Sequence, residues 1–302
     1  MRVADLYGRG RPIFSFEFFP PRTEEATESL LRALKELAAL RPDFVSVTCP
    51  LDKARRPQTF ALVARIKRDL GIEAMAHLVT VDYRRDEVRA VLEQLRRDAI
   101  ENVLALRGDL APDADRDAPR DFPHGADLAR FASEYGYCLG GAAHPELHPD
   151  STDWDGEIRF AAAKVRAGCA FLITQLFFDN ADYFAYVERA RAAGIDVPIV
   201  AGIMPVTSVP GIKRMAKLNR NRIPAEYLRV LEAVADDALA VHRLGVRHAT
   251  RQCVELVERG APGIHFYTLN RSPATREILT AVREQLGLPA GGAVPPTTRS
   301  TP

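Results

Sequence analysis

Short apolar runs rich in β-branched and aromatic residues recur along the chain, and the segments between them have helical periodicity. In the first of these segments, residues 24–40, the leucines fall on one face of a helix, and residues 86–97 also have helical periodicity. The runs predict eight strands, at residues 13–19, 44–49, 73–80, 102–108, 138–144, 171–178, 198–205 and 263–270. Strands and helices are therefore expected to alternate.

The predicted strands begin mostly about 30 residues apart, which is the length of one βα unit. Eight such units without a break in composition predict an α/β protein built as a closed (β/α)8 TIM barrel rather than an open doubly wound sheet. No GxGxxG turn follows the first run, which weakens the dinucleotide-fold alternative. We predict one catalytic domain over residues 1–288.

The connection between the seventh and eighth strands is long enough for extra helices. Pro224 breaks it, and residues 238–258 are predicted to form a full helix. The Pro- and Gly-containing end of the chain, residues 289–302, is predicted to be disordered. Four glycines are placed to end helices at the C′ position: Gly71, Gly136, Gly168 and Gly194.

The first strand, within residues 13–21, carries a carboxylate in the middle of an apolar run. Because side chains alternate along a strand, Ser15, Glu17 and Phe19 share one face, and the intervening phenylalanines share the other. An unpaired ionised carboxylate in an apolar interior is unfavourable. Glu17 is therefore either paired with a distant Arg or Lys, or a protonatable acid at the floor of a pocket.

Composition limits the possible partners and the compartment. The 302 residues are 47% hydrophobic and 27% charged, with a net charge of +1, which gives no reason to expect nucleic acid or an anionic membrane as partner. Pairs such as Arg55–Arg56 and Arg96–Arg97 are expected on solvated helix faces. With no long apolar stretch, no signal core and four separated cysteines, we predict a cytoplasmic protein with reduced thiols.

Polar residues cluster where the predicted strands end, which is the active face of a (β/α)8 barrel. They are Thr48, His77, Arg107, Gly108, Asp109, His144, His148, Gln175, Tyr267 and Arg271. Each alone is explained by a satisfied hydrogen bond or a surface charge. Their common placement predicts a functional site on one rim.

Two glycine-containing segments have both structural and functional explanations. The glycine of Arg107-Gly108-Asp109 allows close approach of a ligand, or it makes a tight turn with an internal ion pair. The pair Gly140-Gly141 allows a flat ligand to pack, or fits a crowded barrel.

Metal and nucleophile chemistry is poorly supported. His144 and His148 are four residues apart, but Pro145 argues against a shared helical face, and no third ligand follows at a fixed spacing, so no metal site is predicted. No GxSxG motif occurs, and Cys49 has no evident base. Lys164 is either a surface lysine or a phosphate contact.

The motifs taken together resemble one enzyme family. They are Phe14 to Pro21 (FSFEFFPP), Phe44 to Thr48 (FVSVT), Ala76 to Leu78 (AHL), Leu106 to Asp109 (LRGD), Pro145 to Pro149 (PELHP), Ile173 to Phe178 (ITQLFF), Gly202 to Val206 (GIMPV) and His265 to Arg271 (HFYTLNR). In this order, from residue 13 to about 286, they resemble the 5,10-methylenetetrahydrofolate reductases, and in particular the short bacterial form that consists of the catalytic barrel alone.

The resemblance implies a (β/α)8 barrel that carries FAD and uses NADH or NADPH to reduce methylenetetrahydrofolate to 5-methyltetrahydrofolate in a ping-pong sequence. It also implies a homo-oligomer and a role in one-carbon metabolism and methionine biosynthesis. Glu17 matches the family's general acid, which protonates a ring nitrogen of the folate. Asp109 matches the aspartate between flavin and pterin, where its charge helps to stabilise the cationic iminium.

Other positions match by the same resemblance. Gln175, Tyr267 and Arg271, with Asp109, are implied on the substrate side. The implied cofactor contacts are Thr48, His77, Arg107, Gly108, Asp109, His148 and Lys164.

The chain departs from the family at four places on the cofactor side. They are Cys49 to Lys53 after Thr48, His124-Gly125 before an acidic-Leu pair, His144 in place of an aromatic residue, and Phe160 with Ala163 near Lys164. Two alternatives therefore stay open. The hydride passes directly from nicotinamide to folate without flavin, or the chain is a non-catalytic partner subunit of a folate complex.

Overall fold

The computed structural model describes residues 1–110, 115, 118–271 and 273–290, and within them eight parallel strands close into a barrel in sequence order. The strands are Ile13–Phe18 (β1), Phe44–Val47 (β2), Ala74–Val79 (β3), Asn102–Leu106 (β4), Cys138–Ala143 (β5), Cys169–Thr174 (β6), Ile199–Ile203 (β7) and Gly263–Tyr267 (β8). The sequence prediction of a (β/α)8 barrel is confirmed.

Helices cover the outside of the barrel. In the described residues they are Glu24–Ala38 (α1), Arg56–Leu70 (α2), Arg85–Arg97 (α3), Gly125–Ser133 (α4), Trp154–Arg166 (α5), Asn180–Ala192 (α6), Val209–Asn219 (α7), Ala225–Glu232 (α8), Ala238–Glu258 (α9) and Pro273–Gln285 (α10). The long connection holds α7, α8 and α9, with Pro224 immediately before α8, as predicted. All four glycines predicted to end helices have positive φ.

Strand β1 separates two environments, as its alternating pattern predicts. Phe14, Phe16 and Phe18 are buried in the cluster that includes the leucines of α1. The other face, with Ser15 and Glu17, points into the barrel. The first helical segment therefore covers the apolar wall, and the carboxylate is left inside the barrel.

A short 3₁₀ turn, Val3–Leu6, closes the N-terminal end of the barrel. Val3 and Leu6 pack with Ile13 and Phe44, and the backbone N–H of Val3 donates to Oδ1 of Asn102 at 2.8 Å. Apolar side chains therefore fill this end of the barrel interior. A cavity opens at the other end, where the carboxyl ends of the strands lie.

The prediction of a solvated Arg55–Arg56 pair is wrong for Arg56, which is fully buried. Its guanidinium donates to the carbonyls of Pro50 (3.1 Å) and Leu51 (2.9 Å) and pairs with Asp82 at 2.5 Å. The first residue of α2 turns back to satisfy the loop after β2. Without Arg56, these buried carbonyls would lack hydrogen-bond partners. The sequence shows two adjacent arginines, but it does not show that carbonyls of the preceding loop require a donor.

Residues 291–302, most of the tail predicted to be disordered, lie outside the described residues. Across the described ranges, no helix has the length and apolar character needed to cross a membrane.

Candidate active site

A cavity of about 690 Å³ opens at the carboxyl ends of the strands. Its walls contain ten of the eleven residues to which the resemblance gives a site role: Glu17, Thr48, His77, Arg107, Gly108, Asp109, His148, Lys164, Gln175 and Tyr267. Arg271 is not among the lining residues. It is exposed and borders a small second pocket beside Thr268 and Thr275.

Glu17 lies at the bottom of the cavity and is 5% exposed. Its neighbours across the sheet are Ser46 on β2 and Tyr267 on β8. Oε2 of Glu17 lies 3.3 Å from Nε2 of His265 and 3.4 Å from Nε2 of His77. Two imidazoles thus face the carboxylate, where the sequence had suggested an Arg or Lys as the structural alternative.

His77 is 5% exposed, and burial lowers the pKa of its imidazole to about 4. The ring is therefore neutral at physiological pH. Its Nε2 makes no hydrogen bond to the described residues, although it faces the carboxylate of Glu17. A neutral ring beside Glu17 adds no fixed positive charge to this part of the cavity.

His265 is a site residue that the sequence analysis did not single out. It is fully buried, and its Nδ1 lies 2.7 Å from Oγ of Ser15. A signal was present, because His265 and Tyr267 alternate in the apolar eighth strand as Ser15 and Glu17 alternate in the first. The pairing of β1 with β8 then brings the two polar faces together.

The Arg107-Gly108-Asp109 segment makes a turn at the cavity wall. Gly108 has φ +90°, and a Cβ there would lie 2.2 Å from Cγ1 of Val79. Arg107 pairs with Asp150 at 2.9 Å, so the ion pair within the segment that the sequence suggested is not formed. Asp109 is exposed and its carboxylate borders the cavity.

The loop after β5 is held by one buried carboxylate. Glu157 accepts from the backbone N–H of His148 (3.1 Å) and the hydroxyl of Ser151 (2.6 Å), and its Oε1 lies 3.2 Å from Nδ1 of His144. Burial opposes ionisation, but these hydrogen bonds outweigh it and lower the pKa of Glu157 to about 2. Glu157 therefore fixes the two cavity histidines of this loop.

The two histidines of this loop contact each other. Their rings meet edge to face with centroids 4.7 Å apart, and burial lowers the pKa of His148 to about 4. In the part of the chain that is described, no group of three or more His, Cys, Asp or Glu side chains is arranged to hold a metal ion.

Lys164 is neither a plain surface lysine nor free for an anion. Its Nζ donates to the carbonyl of Ala142 at 2.6 Å, and burial lowers the pKa of its ammonium group.

Gly140 and Gly141 lie on β5, where the barrel interior is crowded. A Cβ on Gly140 would lie 2.6 Å from the ring of Phe171. Packing thus accounts for Gly140.

Gln175 and Tyr267 lie on neighbouring parts of the wall. Oε1 of Gln175 accepts from the N–H of Leu176 at 2.9 Å, which leaves its amide N–H₂ group for a ligand. The Tyr267 hydroxyl donates to the carbonyl of Thr174 at 2.6 Å, and burial raises its pKa well above the ordinary value. The side chain of Tyr267 is therefore uncharged, and its hydrogen bond to Thr174 fixes its position in the cavity wall.

Most of the departures from the family pattern lie on this cavity. Cys49, Leu51, His124, His144 and Phe160 line it, whereas Ala163 does not. The rings of His124 and Phe160 are 5.3 Å apart, and Phe160 is 44% exposed. An aromatic edge therefore lies on this side of the cavity mouth.

The cavity can accommodate a flavin. Apolar strand ends, including Leu104, Ala105 and Leu106, offer a flat surface, and hydroxyl, imidazole and guanidinium donors surround it. The two lining cations suit a diphosphate, but Arg107 is bound to Asp150 and Lys164 to a carbonyl. The chemistry of the donors fits the group, provided that these two side chains exchange partners.

A closed parallel barrel with its titratable side chains gathered at the carboxyl ends of the strands defines an α/β-barrel enzyme. The family model for methylenetetrahydrofolate reductase matches residues 2–283, and the chain belongs to that family of oxidoreductases. The family predicted from the motifs is confirmed.

Relatives differ in length. The chain is 34% identical over 284 residues to 5,10-methylenetetrahydrofolate reductase of Escherichia coli, covering 94% of this chain and 93% of the relative. It is 33% identical over 283 residues to methylenetetrahydrofolate reductase (NADH) 1 of Arabidopsis thaliana, covering 89% of this chain but 48% of the relative. The chain thus spans about half of the plant protein.

Solved structures share the barrel at low identity. A Clostridium thermocellum protein described as binding two copies of 5-methyl-5,6,7,8-tetrahydrofolic acid has a TM-score of 0.59 and 17% identity, covering 94% of this chain and 99% of its own. Dihydropteroate synthase from Xanthomonas albilineans has a TM-score of 0.53 and 15% identity, covering 93% and 95%. These similarities establish the fold alone.

Proposed function

We propose that this protein reduces 5,10-methylenetetrahydrofolate to 5-methyltetrahydrofolate with NADH or NADPH, using FAD as hydride carrier and Glu17 as general acid. The observation that carries the proposal is the place of Glu17 at the bottom of a cavity large enough for a flat ligand. The family assignment supports the reaction. The buried carboxyl group of Glu17 in the cavity supports its assignment as the acid.

The reaction requires a proton before the hydride. Protonation of a nitrogen in the five-membered ring opens a C–N bond and leaves an iminium carbon that can accept hydride. Glu17 is buried, with 5% of its surface exposed, and it faces two imidazole rings. Among the described residues, no Lys or Arg forms an ion pair with it. A carboxyl group in this position can act as the general acid that delivers the proton to the substrate.

Asp109 and Gln175 are proposed to bind the folate from the walls. The Asp109 carboxylate can stabilise positive charge that develops on the substrate. The free amide N–H₂ of Gln175 can donate to the pterin. Tyr267 is proposed as a further wall, and Arg271, which lies outside the main cavity, as a contact for the part of the folate that extends beyond it.

The residues proposed to hold FAD are Thr48, His77, Arg107, Gly108, Asp109, His148 and Lys164. When bound, FAD supplies the chemistry of taking up a hydride from nicotinamide and releasing it to folate in separate half-reactions. The chain's own residues position it: the Gly108 turn brings backbone to the cavity wall, and Glu157 fixes His148.

A second candidate is direct hydride transfer from nicotinamide to folate in the same cavity. It is favoured by the state of the two cations, because Arg107 is paired with Asp150 and Lys164 donates to Ala142. The rings of His124 and Phe160, two of the positions that depart from the family pattern, also form an aromatic edge at the cavity mouth. Either candidate uses Glu17 in the same role.

The visible spectrum of freshly purified protein, followed by assay of both half-reactions, tests the proposal. A flavin band together with folate-dependent oxidation of reduced flavin supports the FAD route. A colourless but active protein supports direct transfer. A protein that neither carries flavin nor reduces methylenetetrahydrofolate would defeat both and favour a partner subunit. The implied homo-oligomer is tested by the mass in solution.

A further inference from the structure

His265 is the fully buried imidazole nearest to the proposed acid, and nothing in the family motifs assigns it a role. It lies on β8, where pairing with β1 brings its backbone opposite Ser15. The ring stacks on Phe44, with centroids 6.0 Å apart and planes at 19°. Its position is thus set by the barrel floor and not by a ligand.

Both ring nitrogens of His265 have partners. Nδ1 lies 2.7 Å from Oγ of Ser15, and Nε2 lies 3.3 Å from Oε2 of Glu17. Oγ of Ser46 lies 3.4 Å from the same Nε2. A hydroxyl that donates to Nδ1 leaves the proton of the neutral ring on Nε2, which then points at Glu17.

Other groups around Glu17 do not offer this contact. Nε2 of His77 is 3.4 Å away but forms no hydrogen bond to the described residues. The hydroxyl of Tyr267 is committed to the carbonyl of Thr174. Within the described residues, the basic side chains within 4.0 Å of the Glu17 carboxylate are those of the two histidines.

We propose that Ser15 and His265 form a positioning pair that determines which oxygen of Glu17 carries the acidic proton. Ser15 donates to Nδ1, and Nε2–H of His265 donates to Oε2. When Glu17 is protonated, Oε2 is its carbonyl oxygen and the hydrogen lies on Oε1. This inference rests on the proposed role of Glu17 as the acid.

The same contact serves the state after proton transfer. The O–H bond of Glu17 breaks and an N–H bond forms on the substrate nitrogen. The C–N bond to that nitrogen then breaks, with its electron pair going to the nitrogen, so that a neutral pair becomes a carboxylate and a cationic iminium. Nε2–H of His265 then donates to an ionised oxygen, and such hydrogen bonds are roughly twice as strong as neutral ones. His265 therefore stabilises the carboxylate that the step creates, without any change of tautomer.

The test compares His265→Phe, Ser15→Ala and the double variant with a control, His242→Gln, which alters a histidine on α9 outside the cavity. Phenylalanine keeps the ring packing on Phe44 and removes both nitrogens. The main readout is the titration of Glu17 by ¹³C NMR of protein labelled at glutamate Cδ, with Glu17→Gln to assign its signal. Circular dichroism verifies the fold of each variant.

We expect the Glu17 titration midpoint to move to higher pH in His265→Phe, because the ionised form loses its donor. Ser15→Ala should move it in the same direction by less. In the double variant Ser15→Ala should add nothing, because Ser15 acts through His265. The rate of folate reduction should fall about tenfold or more in His265→Phe, while His242→Gln behaves as wild type.

An unmoved midpoint in His265→Phe would overturn the proposal, and so would additive shifts in the double variant. If the midpoint moves as expected but the wild type does not reduce methylenetetrahydrofolate, the positioning pair stands and the proposed function fails. The NMR readout therefore separates the two.

Discussion

Nδ1 of His144 lies 3.2 Å from Oε1 of Glu157, and this contact ties the loop after β5 to the first turn of α5. Hydrogen bonds from His144, Ser151 and the backbone of His148 overcome the effect of burial and lower the pKa of Glu157 to about 2. One carboxylate thus organises a cavity wall that includes two histidines.

The stability of the protein should depend on the protonation of Glu157. Because its pKa is depressed in the folded state, its contribution is fully present above the unfolded value near 4.5 and is lost as the pH falls toward about 2. We expect wild type to lose roughly 3 kcal/mol of unfolding free energy from this group across that range. Urea denaturation between pH 5 and 2 measures it.

Glu157→Gln should be less stable at pH 6 and should lack this part of the slope. Glu28→Gln, on the exposed face of α1, is the matched control and should keep the wild-type slope. An unchanged slope in Glu157→Gln would show that other groups dominate acid unfolding.

Gly108→Ala should lower the free energy of unfolding by more than the strain of an alanine in a left-handed backbone conformation alone. Gly108 has φ +90°, and the new Cβ would lie 2.2 Å from Val79. Gly136 has φ +77° with nothing within 4 Å, so Gly136→Ala reports the backbone cost alone, about 1–2 kcal/mol. Thermal or chemical unfolding compares the two variants.

The excess cost of Gly108→Ala should be recovered in part by Val79→Ala in the same chain, because that change removes the clashing methyl groups. Equal destabilisation at Gly108 and Gly136, or no rescue, would contradict the packing explanation.

Glu17→Gln should abolish folate reduction while leaving the nicotinamide side of the reaction intact. The amide keeps the shape of Glu17 but cannot give up a proton, and general acids contribute roughly 10²–10⁴-fold in rate. Stopped-flow measurement of the two half-reactions tests this if flavin is bound, and single-turnover folate reduction tests it if flavin is not. Near-normal folate reduction would refute the acid assignment.

Asp109→Asn should weaken folate reduction more modestly. The carboxylate borders the cavity but is exposed, so water screens its charge, and we expect a decrease of about tenfold or less. Rates of the folate half-reaction in both proteins, at one ionic strength, measure it. An unchanged rate would show that the charge of Asp109 does not act on the reacting folate.

The sequence predicted the barrel because its signal is local and repeated, but it predicted strand ends less well. The sixth strand was expected at residues 171–178 and forms at Cys169–Thr174. Leu176, Phe177 and Phe178 lie beyond the strand but remain buried. Leu176 and Phe178 pack against residues of α7, α8 and α9, and Phe177 belongs to the main core cluster. An apolar run reports burial, and burial is not limited to strands.

Contacts between distant segments could not be predicted from pattern. Arg56 is buried because carbonyls of the preceding loop need a donor, and His265 reaches Glu17 only through the pairing of β1 with β8. Arg271 was expected at the site through its motif, but the turn after β8, where Leu269 has φ +51°, takes it outside the main cavity. The motifs predicted which residue types occur at the site, but which of these residues are in contact depends on how the closed barrel pairs its strands.

The pairing of β1 with β8 brings together strands about 250 residues apart in the chain. Contacts of such high sequence separation form late in folding, because loop closure must precede them. During synthesis β8 is made after the other seven strands, so Glu17 remains without His265 until the ring of strands is complete. The proposed proton donor is thus assembled by the same event that finishes the fold, and a partly folded chain has no working acid.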